Sequence, residues 1–175
     1  MHKAHEIARV FEEIAPLETG NTGDELGFVF GDQEQSVRAI GCLWHVDAQS
    51  INACIERNIN MIITHEGIFL PEQNGNWYDG PDKDNIHANI LRERLLSQHQ
   101  MVVYRSHSNW DALPVDGVPD QAVLSLGIKG LQELSRQKYF SVQEIPDAMS
   151  VGNLKERVEA GTEFPFCRIY GDSEK

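Results

Sequence analysis

Two short strings of this sequence carry groups that bind metal ions. Asn60-Met-Ile-Ile-Thr-His-Glu ends in His65 and Glu66, and Ser106-His-Ser-Asn-Trp-Asp carries His107 and Asp111. Together they offer imidazole nitrogen and carboxylate oxygen without thiolate, a donor set that suits divalent Zn, Mn or Fe(II) and disfavours soft-metal and iron–sulfur sites. A carboxylate-rich mixed set is also what two-metal hydrolytic sites use, with the ions about 3.5–4 Å apart. The expectation is therefore one or two divalent ions per protomer. Each residue also has a plainer reading: His65 as a hydrogen-bonded strand-end histidine, and His107 with Asp111 as a pair that braces a loop. His45, at the end of an earlier strand, stands in a similar position.

The elements that must position these groups are short and apolar. Met61 to Thr64 and Met101 to Arg105 read as buried strands, each running straight into its candidate ligands. In an open α/β sheet the carboxyl edge is where ligands collect, because loops converge there over rigid strands. His65 and Glu66 are neighbours, so on a regular strand they point to opposite faces. They serve one site only if the chain turns, which Gly67 permits. His107 and Asp111, four apart, are expected in a loop of small polar residues.

Around these strands the pattern alternates. Ala4, Ile7, Phe11 and Ile14 recur at helical spacing and Pro16 closes that helix. Residues 27–30 read as a short strand, and 37–46 as a longer one. Asp47 is placed to cap a helix striped by Ala48, Ile51 and Ile55. Residues 37–64 thus make one β-α-β unit with parallel strands. Residues 67–83, rich in Gly, Pro and Asn around Trp77 and Tyr78, form a long excursion directly after the ligands, expected to border the site. A helix over 84–98, another opened by Pro119, a strand near 139–144, a helix capped by Ser150 and a last strand over 166–170 follow. The fold class is α/β, a mostly parallel sheet with flanking helices. Residues 1–135 read as the metal-binding α/β domain and 136–175 as its strand-helix-strand continuation.

A net charge of −12 argues against nucleic acid and anionic membrane as the main partners, since both select a basic face. No run approaches the roughly 20 apolar residues of a membrane span, and Met-His-Lys-Ala-His-Glu lacks the apolar core of a secretory signal. The expected compartment is the cytoplasm. Cys42, Cys54 and Cys167 are odd in number and widely spaced, and read as reduced, buried small hydrophobes.

The string Asn60-Met-Ile-Ile-Thr-His-Glu-Gly, then Val103-Tyr-Arg-Ser-His-Ser-Asn-Trp-Asp, then Asp116-Gly-Val-Pro-Asp with Leu126-Gly127 resembles the Nif-three-like family of dinuclear-metal proteins. Many bacterial members of that family are labelled GTP cyclohydrolase I type 2. In it a strand ends in His-His or His-Glu, and a later His-Thr-Asn-(apolar)-Asp motif supplies a further ligand. The strand at 37–46 with Asp47, and the tail from Gly152 to Gly171, also resemble family segments. The resemblance implies His65, Glu66 and Asp111 as metal ligands with His107 in or beside the coordination sphere. It also implies a Nif-three-like fold, a toroidal hexamer, and a small-molecule substrate of the purine nucleotide class.

The chain departs from the family pattern at two places. Glu66 stands where many members have a second histidine, which hardens the site toward oxygen-preferring metals. The family's late His-x-x-x-Glu pair has no counterpart, since no histidine follows His107. This leads to the expectation that the chain is the N-terminal part of a longer protein. The functional expectation is a metal-dependent hydrolase-like protein, or alternatively a non-catalytic metal-binding or regulatory scaffold.

Overall fold

Two short runs of three apolar residues, each closed by a buried polar one, form the central strands of the computed structural model, which describes residues 1–69, 86–162 and 167–172. Along the chain the elements are α1 (Ala4–Ile14), β1 (Gly27–Phe30), β2 (Ile40–Leu43), α2 (Ala48–Glu56), β3 (Met61–Thr64), α3 (His87–Gln98) and β4 (Val102–Arg105). They are followed by α4 (Ser108–Asp111), α5 (Val118–Ser125), β5 (Gln132–Gln137), β6 (Phe140–Glu144) and α6 (Val151–Thr162). Two compact units result, Met1–Asn109 and Trp110–Lys175. The division falls inside α4, a different cut from the one drawn at 135 from the sequence.

In the first unit four strands lie in the order β1-β4-β3-β2. β2, β3 and β4 are parallel, while β1 joins the edge of β4 antiparallel. The sheet is therefore mostly parallel and flanked by helices, as expected. All four residues of β3 and all four of β4 are buried, which is how a parallel strand covered on both faces reads as a near-continuous apolar run. Successive side chains alternate between two cores. Met61, Ile63, Val102 and Tyr104 pack with Ala4 and Ala8 of α1. Ile62 and Val103 pack with Ile51 and Cys54 of α2 and Leu96 of α3.

Local signals set the element ends. Asp47 accepts from Ser50 N at 2.7 Å and caps α2 as expected. Gly31 has φ +84°, and a Cβ there would run into the Met101 carbonyl and Val102 Cα, so the turn after β1 requires glycine.

Three expectations are corrected. The strand expected over 37–46 is limited to Ile40–Leu43. Ahead of it the buried Asn60 side chain takes over the backbone: Arg38 N donates to its Oδ1 at 2.8 Å, and its Nδ2 donates to Ser36 O at 2.9 Å. Val37 N is likewise committed to His2 O. Cys42 is exposed, because β2 is an edge strand and Cys42 faces outward; Cys54 is buried. Cys167 to Tyr170 form no regular strand.

The second unit contains a hairpin that was only half expected. β6 pairs antiparallel with β5 across Lys138 and Tyr139. Gln132–Gln137 is polar and exposed throughout, so it carries no apolar alternation to announce a strand. Asp120 at the start of α5 receives Arg136 of β5 at 2.7 Å, and Ser150 Oγ accepts from Asn153 N at the start of α6. Among the described residues no helix is long and apolar enough to cross a membrane.

Candidate metal centre

Strand register brings the two ligand strings together. β3 and β4 are parallel with Thr64 opposite Arg105, so both strands stop level. Ser106 N donates to Thr64 O at 3.0 Å, carrying the pairing one step further. His65 and His107 then leave the same edge, their ring centroids 4.7 Å apart and their planes at 70°.

Asp111 comes from α4, which begins at Ser108 in the first unit, so its position follows from one helical turn. That turn is a correction to the loop expected here. Its cause is Asn109, whose buried Oδ1 accepts from His107 N at 3.0 Å and Ser106 Oγ at 3.3 Å, while its Nδ2 donates to Ala15 O at 2.8 Å. One helical turn places residues about four apart on one face. Ligand atoms of His65, His107 and Asp111 all lie within 4.8 Å of one another, and Oδ1 of Asp111 is buried from solvent.

The other two histidine and carboxylate candidates are not part of that trio. Glu66 is not a member of this cluster. Its N–H is tied to Trp44 O at 2.8 Å, just as His65 N is tied to Leu43 O at 3.2 Å. His45 is 62% exposed and its Nε2 lies 3.5 Å from Asp47. From residue 70 the excursion 67–83, with Trp77 and Tyr78, lies outside the described residues.

Three contributors carried no local signal in the sequence. Asp24, in the loop before β1, has its Oδ2 2.8 Å from His107 Nδ1 and also accepts from the Ser108 N–H and hydroxyl. Arg105, only 2% exposed at the end of β4, donates through Nη1 to Asp24 Oδ1 at 2.8 Å and through Nε to His65 O at 3.1 Å. Burial alone would raise the Asp24 carboxyl, but the Ser108 hydroxyl, His107 and Arg105 outweigh it and hold the group below the usual carboxylate range. Trp44 stacks on His65 and borders a cleft of about 350 Å³ lined also by His45, Asp47 and Ser50.

The donor chemistry fits a divalent ion. Two imidazoles and one carboxylate are the three-ligand set that leaves a position open for water or substrate. Ligands about 2.1 Å from one ion stand at most about 4.2 Å apart, so atoms already within 4.8 Å need only small side-chain rotations. With Nδ1 of His107 committed to Asp24, Nε2 is the nitrogen left to ligate, and such carboxylate–histidine pairs are the usual support of metal-bound imidazole.

Comparison with known proteins gives a consistent picture. Residues 2–175 match the model of the Duf34/NIF3 family (NGG1p interacting factor 3). A GTP cyclohydrolase 1 type 2 homolog of Clostridium acetobutylicum is 27% identical over 182 positions, covering 99% of this chain and 64% of the relative. A Staphylococcus aureus relative of the same description is 23% identical, covering 89% of this chain and 41% of its own length. The chain thus spans between 41% and 64% of these curated relatives. Among solved structures, a hypothetical protein of Staphylococcus aureus superposes with a TM-score of 0.77 at 16% identity, over 98% of this chain and 68% of that one. A Bacillus cereus protein related to NIF3 superposes with a TM-score of 0.62 at 23% identity, over 78% and 36% of the two chains.

Proposed function

The chain belongs to the Duf34/NIF3 family, and from that premise we propose that it is a divalent-metal-dependent, hydrolase-like protein acting on a small molecule of the purine nucleotide class. The observation that carries this reading is the convergence of His65, His107 and Asp111 at the carboxyl edge of the sheet. The relatives described as GTP cyclohydrolase 1 type 2 homologs support the substrate class. The same reading makes the protein a cytoplasmic homo-oligomer, with a hexamer expected from the family resemblance.

In this proposal His65, His107 and Asp111 hold the ion, and the remaining position is open to water or substrate. A Zn, Mn or Fe(II) ion bound there lowers the pKa of a water ligand and polarises a substrate oxygen. The chain's own residues do the positioning. Asn109 shapes the turn that carries Asp111, Arg105 fixes the backbone of His65, and Trp44 covers one face of the His65 ring.

A second reading is a metal-binding or regulatory scaffold without turnover. One observation favours it: the described cluster supplies three donors, enough for one ion, whereas two-metal hydrolysis needs bridging carboxylate as well. The test is to load the purified protein separately with Zn, Mn and Fe(II), gel-filter it, and follow GTP by chromatography. A bound ion with metal-dependent nucleotide loss supports the hydrolase. A bound ion without turnover supports the scaffold, and no bound ion contradicts both.

A further inference from the structure

Asp24 reaches His107 across 83 residues of sequence, and its two carboxylate oxygens have different jobs. Oδ1 takes the Arg105 guanidinium at 2.8 Å. Oδ2 faces His107 Nδ1 at 2.8 Å, with the Ser108 N–H at 3.3 Å and its hydroxyl beside it. An ionised carboxylate accepts hydrogen bonds and cannot donate them. His107 Nδ1 must therefore be the protonated ring nitrogen, which leaves the Nε2 lone pair available to a ligand.

We infer that Asp24 is a positioning residue of the metal centre: it sets the tautomer of His107, while Arg105 fixes which carboxylate oxygen faces the ring. This rests on the metal-binding reading above. Arg105 gives the arrangement its direction. It is buried, donor-only, and anchored a second time on the carbonyls of His65 and Glu25. Whatever group replaces Oδ1 must therefore be an acceptor.

That constraint makes Asp24→Asn informative. The amide is isosteric, but its carbonyl must stay on Arg105, so its NH₂ takes the place of Oδ2. The NH₂ then donates to His107 Nδ1 and the ring proton moves to Nε2, as happens when the orienting aspartate of a catalytic triad becomes asparagine. Nε2 loses its lone pair to that proton. The same NH₂ faces the Ser108 N–H that Oδ2 accepted, so some loss of stability is expected either way, and a purely structural Asp24 is distinguished by an unchanged tautomer.

The experiment is two-bond ¹H–¹⁵N imidazole NMR on the metal-free protein and D24N at about pH 8, where an ordinary histidine is neutral, with the His107 signal identified from H107Q. Zinc affinity is measured on the same samples by competition with a chromophoric chelator. Expected are an Nδ1–H tautomer for wild-type His107, an Nε2–H tautomer in D24N, and zinc affinity about 10- to 100-fold weaker in D24N. A wild-type proton on Nε2 overturns the inference, as does a D24N protein with unchanged zinc affinity. Should D24N fail to fold, the wild-type tautomer decides. Should the wild type bind no zinc, the metal-binding reading fails, and the NMR result still decides whether Asp24 sets the tautomer.

Discussion

Trp44 lies flat against His65, with ring centroids 4.1 Å apart and planes 20° from parallel. The indole is 56% exposed, so it adds little to the core and acts instead on the imidazole it covers. His65 is thus held on one side by Trp44, through its carbonyl by Arg105, and at its edge by the His107 ring. An aromatic pair of this kind contributes about 0.5–1.5 kcal/mol beyond its buried area, enough to restrict the rotation of a ligand ring.

Removing that stack is expected to loosen the ligand without unfolding the protein. Trp44→Ala should weaken zinc binding by roughly two- to tenfold, the range that 0.5–1.5 kcal/mol represents. Its thermal midpoint should stay close to wild type. Competition titration and a thermal melt on one preparation check both halves. Unchanged affinity would mean that the stack does not hold His65 in its ligating pose.

Arg105 is expected to matter more to stability than any exposed charge of this acidic chain. Arg105→Met leaves Asp24 facing a methylene chain in a largely buried setting. Breaking a buried ion pair by removing one partner costs about 3–5 kcal/mol, measured here by urea denaturation. A loss below about 1 kcal/mol, the scale of surface pairs, would show that Asp24 and Arg105 are separately satisfied.

Tyr104 gives the protein an alkaline signature. Its hydroxyl donates to Glu12 Oε1 at 3.0 Å, and burial together with the Glu12 carboxylate pushes the phenol well above its usual 10.0. A raised pKa in the folded state means that folding holds the proton more tightly. The associated stability is fully present below about pH 10 and is lost as pH rises from there toward the folded-state value. Tyr104→Phe cannot ionise, so the fall in stability between pH 10 and 12 should be shallower in Y104F than in wild type. Near neutral pH the lost hydrogen bond should cost about 1 kcal/mol. Parallel denaturation curves across that range would contradict this assignment.

How far the site could be read from the sequence follows from the range of each interaction. β3 and β4 announce themselves because both faces are buried and three of the four residues in each are apolar. Their ligands follow because a strand delivers whatever comes next in the chain to the sheet edge. The Asp47 cap is equally local, acting three residues away on Ser50. β2 came out shorter than expected because the Asn60 side chain, more than twenty residues from Ser36 and Arg38, occupies the backbone that would have extended it. β5 was missed because Gln132–Gln137 is paired through its backbone while every side chain faces solvent. Asp24 and Arg105 were missed for the same physical reason: their partners lie over 80 and 40 residues away. No periodicity records such a contact.

The central claim is that His65, His107 and Asp111 together hold one divalent ion, and metal content measured by mass spectrometry on gel-filtered protein tests it most directly. After loading with zinc, the wild type is expected to retain about one ion per chain, the number three protein ligands and a water can hold. His65→Ala and Asp111→Ala, each removing one of those ligands, should retain almost none while still melting cooperatively. A wild-type chain that emerges without metal, or a folded H65A or D111A chain that keeps a stoichiometric ion, would contradict the account.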